Sequence, residues 1–421
     1  MSWRDNYDPK LIEIVDRVDK KIAPRLAEMD DQVIENQSKV LRAFQEHHVA
    51  ESDLTGSTGY GHYDEGRDKL EDIYAEVLGG EDALVRPQLV SGTHAIGVSL
   101  LGLVRPGDEL VYITGKPYDT LQEVLGMAGN GIGSPIEYNI KTGYVDLKQD
   151  GSVDFDAVRA RLASHPRVVA IQRSRGYATR DSFTIAKIAA MIKVVREVSP
   201  DSWVFVDNAY GEFSETKEPL QVGADLMAGS LFKNAGGGMA KTGGYIVGKK
   251  ELVERVSYRF TVPGLGAAEG ATYGSLEDMF QGFFQAPQVT GAAIKGSIFE
   301  AALLEELGLD VSPKWDAPRT DLVQTVNFGN PDDMVAFAKA VQHNSPIDSF
   351  VTPIPEKMAG YEDAVIMAGG SFVQGSTIEF SADGPLREPY TLYIQGGLTY
   401  AHVKLATVGA AQDTFFSQST K

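Results

Sequence analysis

The stretch Val204-Phe205-Val206-Asp207-Asn208-Ala209-Tyr210-Gly211 decides the fold. An apolar run that ends in an acid and then a small-residue turn reads as a buried strand with Asp207 at its carboxyl end. Open α/β sheets place their ligands at that end of the strands. Taken alone, Asp207 has three uses there: capping a helix, ligating a metal, or pairing with a cationic ring nitrogen and keeping it protonated.

Strands and helices alternate on both sides of this stretch. Upstream, 83–90, 109–114, 134–139 and 168–173 read as strands, and 93–103, 118–127, 154–163 and 185–197 as helices. Downstream, Gly243-Gly244-Tyr245-Ile246-Val247-Gly248 reads as a further strand and 287–307 as a long helix. This alternation implies an α/β fold with βαβ units and a mostly parallel sheet covered on both faces. Before it, a helix over 64–78 stops at Gly79-Gly80, and residues 8–50 read as helix with an apolar stripe at Leu11, Ile14, Val15 and Val18. That arm can pack on its own subunit or reach a partner. From about 312 the composition shifts, with strands at 323–328, 377–380 and 390–395 and a helix at 331–342. The organisation is therefore an N-terminal helical arm (1–55), a large domain (56–310) and a smaller C-terminal α+β domain (311–421).

Composition narrows the function. The net charge of −19 repels phosphate backbones and anionic lipid, so nucleic acid and membrane are poor partners. An anionic ligand then needs a local patch of aimed N–H groups. No apolar run reaches the roughly 18 residues of a membrane span, the polar N-terminus has no signal-peptide pattern, and there is no cysteine, all consistent with a cytoplasmic protein. The missing cysteines also exclude thiolate nucleophiles and Cys-ligated metals. His47, His48 and His62 lack a helical pairing with a neighbouring carboxylate, so no metal site is expected.

Two more motifs carry chemistry. In Val90-Ser91-Gly92-Thr93-His94-Ala95, a turn opens a helix whose free N–H groups and dipole can hold a phosphate, although most such turns are only turns. In Gly229-Ser230-Leu231-Phe232-Lys233-Asn234, Lys233 stands between a short apolar stretch and the flexible Ala235-Gly236-Gly237-Gly238. A lysine amine forms an imine with an aldehyde only when neutral, which burial favours, and Ser230 can donate to a phosphate oxygen. The run from Gly236 to Thr242 is not a nucleotide loop. Ala240 stands where glycine must precede the lysine, and a strand follows where a helix is needed.

In this order the turn, Tyr118, Asp207 and Ser230-x-x-Lys233 resemble the cystathionine/methionine-lyase branch of fold-type I pyridoxal-phosphate enzymes. The stretches TGYGHYDEGRDKLEDIYAEVLGGEDALVRPQLVSGTHAI, FVDNAYGEF, GSLFKNAGGGMAKTGGYIVG and PYTLYIQGGLTYAH more closely resemble the methionine γ-lyase-like, or aluminium-resistance, family, over roughly residues 50–405. The resemblance implies the aspartate-aminotransferase-like fold, pyridoxal 5′-phosphate as cofactor and Lys233 as the lysine that carries it as a Schiff base. It implies that Ser91, Gly92, Thr93 and His94 frame the phosphate with help from Ser230. It further implies that Asp207 pairs with the ring nitrogen and that Tyr118 stacks on the ring and assists proton transfer. Tyr60 and Arg67 resemble the Tyr and Arg that such lyases lend to a neighbouring subunit's phosphate, which implies a homodimer and its pairing into a homotetramer. Their spacing departs from the usual Tyr-x-Arg, and Phe232 stands where the branch usually has a hydroxyl. Arg387 and Arg173, with Arg175 beside the latter, are the candidate forks for a substrate carboxylate. The implied activity is a carbon–sulfur lyase that acts on an amino acid of the cystathionine, cysteine or methionine type by β- or γ-elimination. Transamination or other Cα chemistry on the same scaffold is the alternative, as is a cofactor-binding stress-response protein with little turnover.

Overall fold

The computed structural model describes residues 2–358 and 361–416. They fall into two compact units, one of Glu35–Ala286 and one that joins the first 34 residues to those from Pro287 onward. Two long helices, α1 (Pro9–Glu46) and α8 (Leu276–Glu306), each begin in one unit and end in the other. This division and the compositional boundaries at 55 and 310 therefore partition those helices differently.

The unit of Glu35–Ala286 is built on seven strands: β1 (Asp82–Arg86), β2 (Glu109–Tyr112), β3 (Lys141–Tyr144), β4 (Val168–Gln172), β5 (Trp203–Asp207), β6 (Leu226–Ser230) and β7 (Gly244–Gly248). They lie in the order β1-β7-β6-β5-β4-β2-β3. Strands β2 to β6 pair in parallel, and β7 runs antiparallel between β6 and β1. Helices α2 (Glu65–Leu78), α3 (Gly92–Leu103), α4 (Asp119–Val124), α5 (Phe155–Leu162), α6 (Ile185–Val198) and α7 (Lys250–Phe260) accompany the sheet. Successive strand side chains point to opposite faces, and both faces here are covered. Val169, Ile171, Val204 and Val206 enter a core with Tyr74, Ile188 and Phe283. Val168, Ala170 and Phe205 enter a second core with Leu100, Leu121 and Val256. The unbroken apolar runs of the sequence are thus the mark of strands with no wet face.

Three expectations need correction. Residues 134–139 are not a strand: Pro135 opens a 3-10 turn (Pro135–Tyr138), Asn139 closes it at φ 57, and the strand is the next segment, β3. Proline fixes φ and lacks the ladder donor, which favours the turn. The long helix does not begin at Pro287, which lies inside α8. Its first turns bury Met279, Phe280, Phe283 and Ala286 in the first core, and that burial outweighs the break a proline usually marks. Residues 377–380 are not a strand either, because the Glu379 carboxylate takes the N–H groups of Phe372 (2.7 Å) and Val373 (2.9 Å) and folds the segment into a turn.

In the other unit, β8 (Asp310–Ser312), β9 (Gln324–Asn327), β10 (Glu356–Lys357), β11 (Ala364–Gly369), β12 (Ser381–Pro385) and β13 (Thr391–Gln395) form an antiparallel sheet in the order β10-β11-β12-β13-β9-β8. Helices α9 (Pro331–His343) and α10 (Tyr400–Ala411) pack on it through Met334, Phe337, Val403 and Ala406. The apolar stripe of the arm, Leu11, Val15, Val18 and Ile22, is buried against Ile294, Ile298 and Phe299 of α8 in the same chain. Among the described residues no helix is long and apolar enough to cross a membrane.

Glu300, on α8, is fully buried, and neither carboxylate oxygen has a hydrogen-bond partner. Burial lifts its pKa to about 8, with the Arg319 charge pulling the other way. Between the ordinary glutamate range and pH 8 the unfolded chain has lost a proton that the folded chain keeps, so stability falls as pH rises through that window. Glu300→Met should remove up to about 1.4 kcal/mol per pH unit from that slope, as read by urea unfolding from pH 5 to 8. An unchanged slope would mean that the acid is not held protonated.

Candidate functional site

Strands β5 and β6 pair in parallel, with Asp207 opposite Ala228, so Asp207 and Ser230 leave the sheet at one edge. Beyond β5 the chain turns sharply, with Tyr210 at φ 72 and Phe213 at φ 60. Beyond β6 comes Lys233, then Asn234, which opens a short 3-10 turn (Asn234–Gly236). The Asn234 side-chain amide donates to the carbonyls of Tyr210 (3.0 Å) and Glu212 (3.1 Å), tying the two loops together. The Lys233 ammonium stands 4.0 Å from the centroid of the Tyr210 ring.

Asp207 is buried and accepts the Ala209 N–H at 3.2 Å. Burial raises its pKa to about 6, opposed by that N–H and by the charges of Lys233 and Arg180, so it is ionised at neutral pH. The helix α3 starts at this edge too. Ser91 caps it by accepting the His94 N–H at 3.0 Å, and the His94 ring accepts the Val90 N–H at Nδ1 (3.2 Å). Burial lowers the His94 pKa, which keeps the ring neutral. The backbone at Gly92 lies so near Ser230 that a Cβ there would come within 3.2 Å of the serine Cβ. The Ser230 hydroxyl is itself buried and has no hydrogen-bond partner.

Tyr118 closes the group. Its N–H donates to Gln172, the last residue of β4, at 3.0 Å, and its hydroxyl lies 2.9 Å from that of Thr93. Burial, seconded by the Asp207 charge, pushes the phenol pKa far up, so the group stays protonated and is a hydrogen-bond donor rather than a base. Ser91, Gly92, Thr93, His94, Tyr118, Asp207, Ser230 and Lys233 therefore come from strand ends, a helix start and loops that meet at one edge of the sheet.

The remaining candidates lie differently. Arg67 is buried, and its guanidinium donates to the carbonyls of Gly61 (2.7 Å) and Gly270 (3.2 Å) and to Asp68, bracing the glycine-rich loop from within. Tyr60, on that loop, is 70% exposed and stacks on His62. Arg173 is fully buried among Asn208, Ser214, Glu215 and Glu218, and Arg175 pairs with Asp181. Arg387, in the other unit, pairs with Asp363 at 3.3 Å on a half-exposed surface. Tyr210, Gln172 and Glu212 escaped sequence reasoning. Tyr210 was in plain view beside Asp207, but only its positive φ, rare for a tyrosine, turns the ring beneath the lysine.

A buried carboxylate, a lysine amine, an unengaged hydroxyl and a helix N-terminus suit a ligand that bears an aldehyde, a basic ring nitrogen and a phosphate. The methionine gamma-lyase family model matches residues 11–415. The chain is 55% identical to the Bacillus subtilis protein YnbB over 91% of both chains. It is 44% identical, with a TM-score of 0.93, to a carbon-sulfur lyase involved in aluminum resistance from Clostridium novyi NT, covering 97% of this chain and 96% of that one. A cystathionine gamma synthase from Xanthomonas oryzae shares only 16% identity at a TM-score of 0.55, over 82% of this chain and 85% of that one, and so shows the fold alone, that of fold-type I.

The turn after Lys233 has no room for a side chain at Gly236, where a Cβ would collide with the Leu231 carbonyl oxygen. Gly236→Ala should destabilise the chain by about 1–3 kcal/mol or more in urea unfolding. Gly97→Ala, whose nearest neighbour stands at 3.4 Å, should be close to neutral. Equal midpoints for the two variants would refute this account of the turn.

Proposed function

The chain belongs to the methionine gamma-lyase family, and from that premise we propose that it is a pyridoxal-phosphate-dependent lyase that breaks a carbon–sulfur bond in an amino acid. The observation that carries the reading is the meeting of the Lys233 amine, the Asp207 carboxylate and the unengaged Ser230 hydroxyl beside the start of α3. These residues fit the cofactor. Lys233 has the amine for its aldehyde, Asp207 the charge for its ring nitrogen, and Ser230 with the N–H groups of Gly92 and Thr93 the donors for its phosphate. The close approach of Gly92 to Ser230 leaves that cradle free of side-chain bulk.

When bound, pyridoxal phosphate supplies an electron sink for the carbanion formed at Cα of an amino acid. The protein's part is positioning and proton movement. Asp207, anionic above about pH 6, holds a positive charge at the ring nitrogen. The Lys233 amine takes the proton from Cα. Tyr118 keeps its proton, is steadied by Thr93, and assists proton transfer to the departing sulfur by hydrogen bonding to it. The net change is release of a thiol and, after hydrolysis, of ammonia and a 2-oxo acid, from a substrate of the cystathionine, cysteine or methionine type. Tyr60, exposed on a loop that Arg67 braces, reaches toward the phosphate of a second copy in a homodimer. Of the two candidate forks for the substrate carboxylate, Arg173 is engaged in the interior, and Arg387 pairs with Asp363 on a half-exposed surface.

Full-length protein incubated with pyridoxal phosphate should gain a visible absorption band, and borohydride should fix the cofactor on Lys233. Lys233→Ala should lose that fixation and at least the ~10²–10⁴ in rate that positioned proton transfer contributes, read as 2-oxo acid release. Tyr118→Phe should lose rate while keeping the band. Conversion of the cofactor to its amine form without release of thiol would replace the lyase by an aminotransferase. No band at all would defeat the reading.

Because Asp207 is ionised only above about pH 6, cofactor retention should weaken as pH falls through that value. Dialysis at pH 5 and pH 8 compares the two states, and Asp207→Asn should lose cofactor at both. Equal retention by the wild-type chain at the two values would remove Asp207 from its role.

A further inference from the structure

Two segments far apart in the chain, 57–64 and 270–273, fold into one ridge. The Gly270 N–H donates to the Tyr60 carbonyl (2.9 Å) and the Tyr273 N–H to that of Ser57 (3.0 Å). Beneath them the Asp64 carboxylate accepts the Thr272 hydroxyl (2.7 Å) and that of Ser57, and Arg67 donates to the carbonyls of Gly61 and Gly270. The segments lie close enough that a Cβ at Gly61 would come within 2.7 Å of the Ala271 nitrogen. The crest of the ridge is tyrosine. Tyr60 and Tyr273 are each 70% exposed, and Tyr63 is 94% exposed. Tyr63 and Tyr273 are held in the left-handed backbone region, at φ 57 and φ 50, which a bulky residue seldom enters. The ridge also borders the candidate site, since Gln88, three residues ahead of Ser91, donates to the Ala271 carbonyl.

The chain carries a net charge of −19 and 23% of its residues are charged, yet 54–63 holds no Asp, Glu, Lys or Arg and 261–276 holds Glu269 alone. In a two-fold contact a patch meets its own copy, so charges near the axis face their own kind. An acidic chain therefore meets itself most favourably where charge is missing, and uncharged, tyrosine-rich surface is typical of interface cores. A basic partner would be drawn to the acidic surface elsewhere. Resting on the reading of the site and of Tyr60 given above, we propose that Tyr273 is lent together with Tyr60 to the site of a second copy. A two-fold axis beside the ridge brings the crest of each copy to the rim of the other's site at Gln88. There the Tyr273 phenol presents a hydrogen-bond donor and an apolar face without adding charge beside Asp207 and Lys233.

The chain has no cysteine, so Tyr273→Cys supplies a single thiol for a short photo-activated cross-linker. The labelled full-length chain is paired by subunit exchange with isotopically heavy wild-type chain and irradiated, and the joined peptides are identified by mass spectrometry. The label should be found on heavy peptides that contain Ser91–His94 or Lys233. Attachment to light peptides of its own chain alone overturns the proposal, and so does sedimentation of the wild-type chain as a monomer. Complementation gives a second test. Tyr273→Gly, a change that φ 50 accommodates, should lower 2-oxo acid release at least about tenfold. Mixed with Lys233→Ala, it should recover up to about a quarter of the wild-type rate, because a mixed pair holds one intact site. A full rate in Tyr273→Gly, or no recovery on mixing, overturns the proposal. Failure of the cofactor reading would show separately, as a missing visible band while the cross-link between copies persists.

Discussion

In a parallel pair both strands end at the same edge of the sheet, and β5 and β6 are paired in parallel from Phe205 with Leu226 to Asp207 with Ala228. Everything at the candidate site follows from that register. It fixes the carboxylate of one strand beside the hydroxyl of the next, and the lysine three residues beyond that hydroxyl has little choice of position. A slip of one residue would turn Asp207 to the other face and put Phe205 into the wrong core. The constraint is enforced by the two apolar cores, one on each side, which accept Val204 and Val206 on one face and Phe205 on the other.

Around this edge the loops are held by buried arginines rather than by regular structure. Arg86 pairs with Glu71 (2.5 Å) and donates to the carbonyls of Ala267 and Glu269, while Arg67 holds those of Gly61 and Gly270. Arg173 does the same for the loop after β5 through Asn208 and Ser214. Such pairs add little over an apolar core of equal volume, but removing one partner costs about 3–5 kcal/mol because the other charge is stranded. They are better understood as fixing irregular backbone in one conformation. Glu300, buried with no hydrogen bond, is the contrasting case, and its raised pKa is the sign of that deficit.

Much of this was legible in the sequence, and the reasons are physical. Strands with two buried faces leave unbroken apolar runs, so β4 and β5 could be read where they lie. A lysine and an acid at the ends of such strands are visible because neither residue belongs in a core. What could not be read depended on partners far along the chain. Residues 134–139 and 377–380 have strand-like composition, yet a proline in one and a carboxylate that captures two N–H groups in the other decide the backbone. The arginines were equally opaque. Arg67 and Arg173 look like ligand-binding groups in one dimension, but their hydrogen bonds turn inward. Tyr210 depended on a backbone conformation that costs about 1–3 kcal/mol and that no residue pattern announces.

The antiparallel strand β7 has one more effect. It lies directly beside β6, with Ser230 paired to Gly244, so the segment that carries Lys233 leaves and re-enters the sheet between two adjacent, hydrogen-bonded strands. Both of its ends are clamped by the ladder, and Asn234 clamps its middle. A reactive lysine on an open loop would surrender conformational freedom at each encounter with its ligand. Here that freedom is surrendered once, when the chain folds, and each later encounter begins with the amine already confined.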